Sequence, residues 1–374
     1  MRRDFASMMI AAVLALSCSS GVAVADPPGL KTLEVGAPAP DFRLPGVDGK
    51  TYRLADFADA KVLVVLFTCN HCPTAQAYED RVARLHADYR GKGVALVAIS
   101  PNDPEAVRLD ELGYSDVGDS FEEMKLRAKE KGYAYPYLYD GETQATAKAY
   151  GVLATPHVYV FDADRKLRYV GRFDDAEVKP VKSHDTIVAV EALLAGKPVP
   201  VAKTRVFGCS TKWADKREDA RKAGEKAEAE PVTLGKIDEA AAAKLVRNDT
   251  KQLLVINVWA TWCGPCVAEL PEFVTMNRMY RGRQFRLVTI SLDEPDKKDE
   301  ALRVLKERHV SATNYLVKTA DRDKFADALD KEWPGPIPYT LVIAPGGKVL
   351  FRKANSIDPL EVRRAIVGHL GRTY

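Results

Sequence analysis

The chain has 374 residues, with 55 lysines and arginines against 52 aspartates and glutamates and a formal net charge of +3. That length exceeds one ordinary core and suits two domains, while so even a charge balance predicts no nucleic acid or other polyanion partner. No stretch approaches the ~20 consecutive apolar residues that crossing a bilayer requires, so the chain is not expected to be membrane-spanning.

Residues 1–25 have the layout of an export signal: Arg2 and Arg3, an apolar run from Met8 to Leu16, then Ala23-Val24-Ala25. Cleavage near Ala25 predicts a periplasmic or secreted protein. The rival reading, a lipidated Cys18, lacks leucine three residues upstream, where Ala15 stands. Processing leaves Cys69, Cys72, Cys209, Cys263 and Cys266, in a compartment where disulfides persist. Two are spaced as one Cys-X-X-Cys pair and two as another, and one is left over.

The first unit is expected over residues 34–200. A turn at Gly46-Val47-Asp48-Gly49 precedes Lys61–Phe67, an unbroken apolar run that reads as a strand buried on both faces. Cys69-Asn70-His71-Cys72 follows, and then Tyr78, Val82, Leu85 and Tyr89 make one helical stripe. Val94–Ser100 reads as the next strand, Ser120–Lys131 as a helix inside an insertion, and Tyr137–Asp140 and Gln144–Tyr150 as a short strand and helix. Thr155-Pro156 opens a strand pair, and His184–Leu194 closes the unit.

Residues 201–230 are charge-rich and read as a linker or solvated helix. Just within it lies Cys209, either a free thiol or a third redox thiol that exchanges with a neighbouring Cys-X-X-Cys. The second unit, 231–374, repeats the order of the first. An alanine-rich helix is expected over Ile237–Val246, a buried strand over Leu253–Trp259, and a helix from Cys266 to Tyr280, kinked at Pro271. Phe285–Leu292 is the next strand, Ile337-Pro338 precedes a hairpin, and Pro359–Leu370 closes the fold. Two intervening residues place the first thiol of each pair at the positive end of a helix and the second one turn along, within reach of it.

Trp259-Ala260-Thr261-Trp262-Cys263-Gly264-Pro265-Cys266 resembles the signature of TlpA-like thioredoxins, exported thiol-disulfide oxidoreductases, over residues 231–374. Residues 34–200, with Val-Gly-Ala-Pro-Ala-Pro-Asp-Phe at 35–42, resemble the redoxins that stand between peroxiredoxins and TlpA-like proteins. The resemblance implies an α/β architecture of two tandem thioredoxin folds, each a central mixed sheet flanked by helices. It implies Cys263 as nucleophile, Cys266 as resolving thiol, Trp262 beside the disulfide, and Ile337-Pro338 and Thr155-Pro156 as cis-proline positions that receive a bound peptide. Glu269 matches the acidic residue that TlpA-like proteins hold near the thiols. The buried aspartate of ordinary thioredoxin is here replaced by Asn257.

The first unit departs from that pattern: Thr68 replaces the tryptophan, and His71 lies between the thiols. A histidine there is expected to stabilise the Cys69 thiolate, making Cys69–Cys72 the more oxidising pair. The expected activity is exchange of dithiols and disulfides with protein partners, with no cofactor and no bound metal, fed by a thiol-protein electron donor, membrane-bound or free. Two alternatives stand beside it. Soft thiolates with His71 suit Cu(I), which would make a copper-handling metallochaperone. Thiol peroxidase activity in the first unit is the other, although no Pro-X-X-X-Thr-X-X-Cys segment is present.

Overall fold

The computed structural model describes residues 29–177, 180–319 and 321–374; the expected export signal lies outside them. It contains two mixed sheets, each covered by helices, in the tandem thioredoxin arrangement.

A hairpin of β1 (Arg43–Pro45) and β2 (Thr51–Arg53) precedes β3 (Val62–Phe67), whose six residues are all buried. Then follow α1 (Pro73–Tyr89), β4 (Val94–Ser100), α2 (Phe121–Lys131), β5 (Tyr137–Tyr139), α3 (Ala145–Tyr150), β6 (Ala154–Thr155), β7 (His157–Phe161), β8 (Leu167–Gly171) and α4 (Asp185–Leu194). The sheet order is β5-β4-β3-β7-β8, with β3, β4 and β5 parallel and β7 and β8 antiparallel. Because β3 has side chains buried on both faces, it joins two cores. Val62, Val64 and Leu66 pack toward Tyr78, Val82 and Leu85 of α1, and Leu63, Val65 and Phe67 toward Tyr150 and Tyr159.

The second sheet repeats this plan. β9 (Cys209–Ser210) and α5 (Arg217–Glu228) lie between the units. Next come β10 (Gly235–Ile237), α6 (Glu239–Arg247), β11 (Leu253–Trp259), α7 (Gly264–Tyr280), β12 (Phe285–Ser291), α8 (Lys298–Glu307), β13 (Thr313–Val317), α9 (Arg322–Leu329), β14 (Tyr339–Ile343), β15 (Val349–Ala354) and α10 (Pro359–Leu370). Their sheet order is β10-β13-β12-β11-β14-β15.

Ile237 departs from expectation: it ends the edge strand β10 and is buried, and the helix begins only at Glu239, where the Asp238 side chain accepts from the Ala241 amide. Helix α7 runs on through Pro271. The charged 201–230 stretch is ordered on the protein, with α5 largely exposed and Arg217 ion-paired to Asp103 at 2.6 Å.

The units touch through the first unit's insertion. The Tyr280 hydroxyl donates to the Ser115 carbonyl at 2.8 Å, Arg283 donates to the Gly113 carbonyl, and Arg372 pairs with Asp116 at 2.5 Å.

Candidate active sites

Each Cys-X-X-Cys stands where a central strand hands over to a helix. In the second unit, Cys263 is the N-cap of α7, and Cys263–Cys266 is a disulfide. Cys263 is 7% exposed and Cys266 is fully buried, with the Cys266 amide 3.3 Å from the Cys263 sulfur. That amide and the helix end stabilise negative charge on Cys263 once the pair is reduced. Asp293 fixes the preceding loop, accepting from the Thr261 amide and hydroxyl and from the Ser291 hydroxyl. Trp262 is 69% exposed beside the thiol. A groove of about 570 Å³ runs along Thr261, Trp262, Leu292 and Asp293. The Ile337-Pro338 bond is cis.

Glu269 stands three residues after Cys266 on α7, hence on the same face. Asn257 on β11 donates to it at 3.0 Å and the Ile357 amide at 3.3 Å. The asparagine that replaces the aspartate of ordinary thioredoxin therefore holds the acidic group instead of being one. Burial pushes the Glu269 carboxyl up to about 7, against the opposing pull of the Ile357 and Asn257 hydrogen bonds. The native state thus binds this proton more tightly than the unfolded chain, so stability must fall as pH rises from the ordinary carboxyl range toward 7. Glu269→Gln is expected to abolish that decline between pH 5 and 8 in denaturant titrations; an unchanged slope would show the carboxyl to be solvated.

The first site is built differently. Cys72 is the N-cap of α1 and fully buried; Cys69 is 4% exposed. Cys69 lies 3.1 Å from the Thr155 hydroxyl, and Cys72 3.2 Å from the Thr155 carbonyl oxygen, to which its thiol donates when protonated. Thr155-Pro156 is cis. His71 is buried, and its Nδ1 lies 2.5 Å from Asp119 Oδ2. Asp119 also accepts from the Asn70 and His71 amides at 2.9 and 3.1 Å, and from Asn102 at 2.8 Å. Burial disfavours the His71 cation, but the Asp119 charge and hydrogen bond outweigh it and raise the imidazole above its ordinary value.

His71 stands beside both thiols: it lies within 4.8 Å of Cys69, with Asp119, and its charge also acts on Cys72. Burial works against every thiolate at this site. At Cys72, however, hydrogen bonds from Cys209 and Cys69, the His71 charge and the Ala75 amide prevail and hold the thiol well below its ordinary value. Cys69 is pushed well up, first by burial and then by its hydrogen bond to Cys72 and the Asp119 charge. The stabilised thiolate is therefore Cys72, because the helix amides and His71 favour charge there and Asp119 opposes it at Cys69.

Cys69, His71 and Asp119 bring three metal-ligating atoms within 4.8 Å of one another. Both Asp119 oxygens already accept hydrogen bonds, and one His71 nitrogen is engaged by Asp119. His71 and Asp119 are thus a hydrogen-bonded pair with Cys69 beside them. Asp119 had no signal in the sequence beyond its place in an insertion. The buried Arg127, paired with Glu79 at 2.8 Å and with Gln76 at 2.5 Å, was equally hidden. His157, which follows cis-Pro156, is buried, and burial lowers its imidazole to about 3, with the Lys203 charge adding to the effect.

The chain is 28% identical over 110 residues to the thiol-disulfide oxidoreductase ResA of Oceanobacillus iheyensis, a match covering 29% of this chain and 53% of that relative, about half its length. Among solved structures, an uncharacterized conserved protein from Geobacillus kaustophilus is 43% identical, covering 48% of this chain and 92% of the other, with a TM-score of 0.44. A hypothetical protein from Sinorhizobium meliloti 1021 is 37% identical, covering 49% and 97%, also with a TM-score of 0.44. No helix of the described residues is long and apolar enough to cross a membrane. The family model described as AhpC/TSA matches twice, over residues 35–170 and again over 203–352, so that both redox sites fall inside it and the chain belongs to the AhpC/TSA family.

Proposed function

We propose that this protein is an exported thiol-disulfide oxidoreductase that exchanges dithiols and disulfides with protein partners through Cys263 and Cys266, with the first unit as a second redox centre. The observation that carries this reading is the Cys263–Cys266 disulfide at the start of α7, beside the exposed Trp262 and an open groove. A partner thiolate attacks Cys263, the more accessible sulfur, and Cys266 departs; in reverse, Cys263 attacks a partner disulfide and Cys266 resolves the mixed disulfide. Trp262 and Ile337 line the approach. The two separate sheets support a division into domains at 34–200 and 231–374, and the electron donor is a thiol protein, membrane-bound or free. The likeness to the thiol-disulfide oxidoreductase ResA supports the same chemistry.

In the Cys266→Ala variant the resolving step is missing, so a disulfide-bearing unfolded protein is expected to accumulate as a covalent adduct on Cys263, visible by non-reducing electrophoresis and mass spectrometry. No adduct with a folded variant would overturn the proposal. A second reading, thiol peroxidase activity of the first unit, is favoured by the burial of the stabilised Cys72 thiolate, which admits a small oxidant in preference to a protein.

A further inference from the structure

The cis-proline edge that among the described residues stays unpaired in the second unit is covered in the first by the chain itself. β9 pairs antiparallel with β6, placing Cys209 opposite Thr155. Thr155 precedes cis-Pro156 as Ile337 precedes cis-Pro338, and among the described residues no strand pairs with Ile337. The approach depends on Gly208: a Cβ there would lie 2.2 Å from the Thr155 carbonyl oxygen, and its φ of +136° suits glycine.

The segment is tied down on both sides. Before it, the Thr204 amide donates to the Val170 carbonyl at 3.1 Å. Beyond it, the Lys212 amide donates to Asn102 at 2.9 Å and the Lys212 ammonium pairs with Glu111 at 2.5 Å. Asn102 also donates to Asp119, so one residue links the strand to the pair of His71 and Asp119.

The strand brings a third sulfur to the site. Cys209 packs against Cys69, Cys72 and Ala75, and its amide donates to the Cys72 sulfur at 3.4 Å. Cys209 is half-buried, whereas Cys69 and Cys72 are buried. The outermost of the three thiols is therefore the one the sequence leaves without a partner.

We infer that Cys209 is the outward-facing redox thiol of the first unit, that Cys72 is its disulfide partner, and that this site takes a low-molecular-weight disulfide in place of an extended polypeptide. The inference rests on the thiol-exchange reading of the first unit. A polypeptide would have to displace β9 to reach Thr155; a small disulfide has only to reach Cys209. As its proton passes along their hydrogen bond to the Cys72 thiolate, Cys209 attacks the external disulfide RSSR, forming Cys209–S–S–R and releasing RS⁻. Cys72 then gives that proton to solvent and attacks the Cys209 sulfur, closing Cys72–Cys209 and releasing the second RS⁻. Two protein thiols are oxidised and one external disulfide is reduced to two thiols.

The reverse direction is favoured at its leaving group. An external thiolate meets Cys209 first, and Cys72 departs as the thiolate that the helix amides and His71 stabilise, lower-pKa thiols being the faster leaving groups. Cys69 is a poorer point of first attack, because it is buried where Cys209 is half-buried, and burial is the largest cause raising its thiol. The Cys209 thiol is raised first by its hydrogen bond to Cys72 and then by burial, so it reacts by passing that proton to Cys72.

The test is peptide mapping of the reduced full chain after exposure to bis(2-hydroxyethyl) disulfide and quenching by alkylation. The peptide 206–212, which carries Cys209, is expected to be cross-linked to 62–81, which carries Cys69 and Cys72. The cross-link should persist in Cys69→Ser, and in Cys72→Ser it should give way to a hydroxyethylthiol adduct on Cys209. A wild type in which Cys209 is alkylated while Cys69 and Cys72 are joined would overturn the inference, as would loss of the cross-link in folded Cys69→Ser. Exchange at Cys263 is independent of this outcome, so its loss and the loss of this cross-link are separable.

Discussion

Replacing Cys263 with serine is expected to lower the rate at which the full chain reduces a disulfide-bearing unfolded protein by roughly 10³-fold or more, the scale of loss when a nucleophile is deleted. A serine hydroxyl neither ionises near neutral pH nor forms an S–S bond, while Cys266 is fully buried and cannot replace it as the point of attack. The first unit does not compensate, because its groove is occupied by β9. The assay is turnover of a protein disulfide with a small dithiol as reductant, with helix content checked by circular dichroism. A rate within tenfold of the wild type would mean that the first unit handles protein disulfides as well.

The second large effect is at Asp119. Asp119→Ala leaves a buried imidazole and two buried amides without their acceptor, and breaking a buried ion pair from one side costs about 3–5 kcal/mol. Both partners contribute to the pH dependence. Burial alone would raise Asp119, but His71 holds it below its ordinary value, so its stabilisation is present above the ordinary aspartate range and is lost as pH falls through the lowered pKa. His71 is raised, so its stabilisation is present below the ordinary histidine range and is lost as pH rises through the raised pKa. The pair therefore supports the fold between those limits, and the variant's deficit should be largest there. Asp119→Asn, which keeps the shape, should also move the pH profile of Cys72 alkylation upward, because neutral His71 no longer favours the thiolate. A profile that stays in place would remove His71 and Asp119 from thiol tuning.

The plan of two units was legible because its signals are local. Val62–Phe67 and Leu253–Trp259 are apolar runs long enough to be strands buried on both faces, and each is followed by cysteines at helix-start spacing. Glu269 and the two prolines were legible through the resemblance, and the structure adds Asn257 as the group that holds Glu269. The rest depended on contacts distant in sequence. Asp119 meets His71 across 48 positions, and Cys209 meets Cys72 across 137. No periodicity records such pairings. Ile237, the last residue of the short strand β10, falls inside the helix expected from the alanines at 240–243, and only pairing with β13 makes it extended.

The two sites thus divide by access: one pair stands beside the exposed Trp262, and in the other Cys69 and Cys72 lie beneath a strand that itself carries Cys209. Exposed Trp262 and the unpaired edge at Ile337 suit a protein partner, whereas β9 at Thr155 leaves only Cys209 within reach of a small one. The most direct measurement is parallel trapping in the full chain, with Cys266→Ala and Cys72→Ala each incubated with the same disulfide-bearing unfolded protein and the adduct sites mapped. The account predicts an adduct on Cys263 in the first variant and none on Cys69 in the second; comparable adducts on Cys69 and Cys263, or none on Cys263, would contradict it.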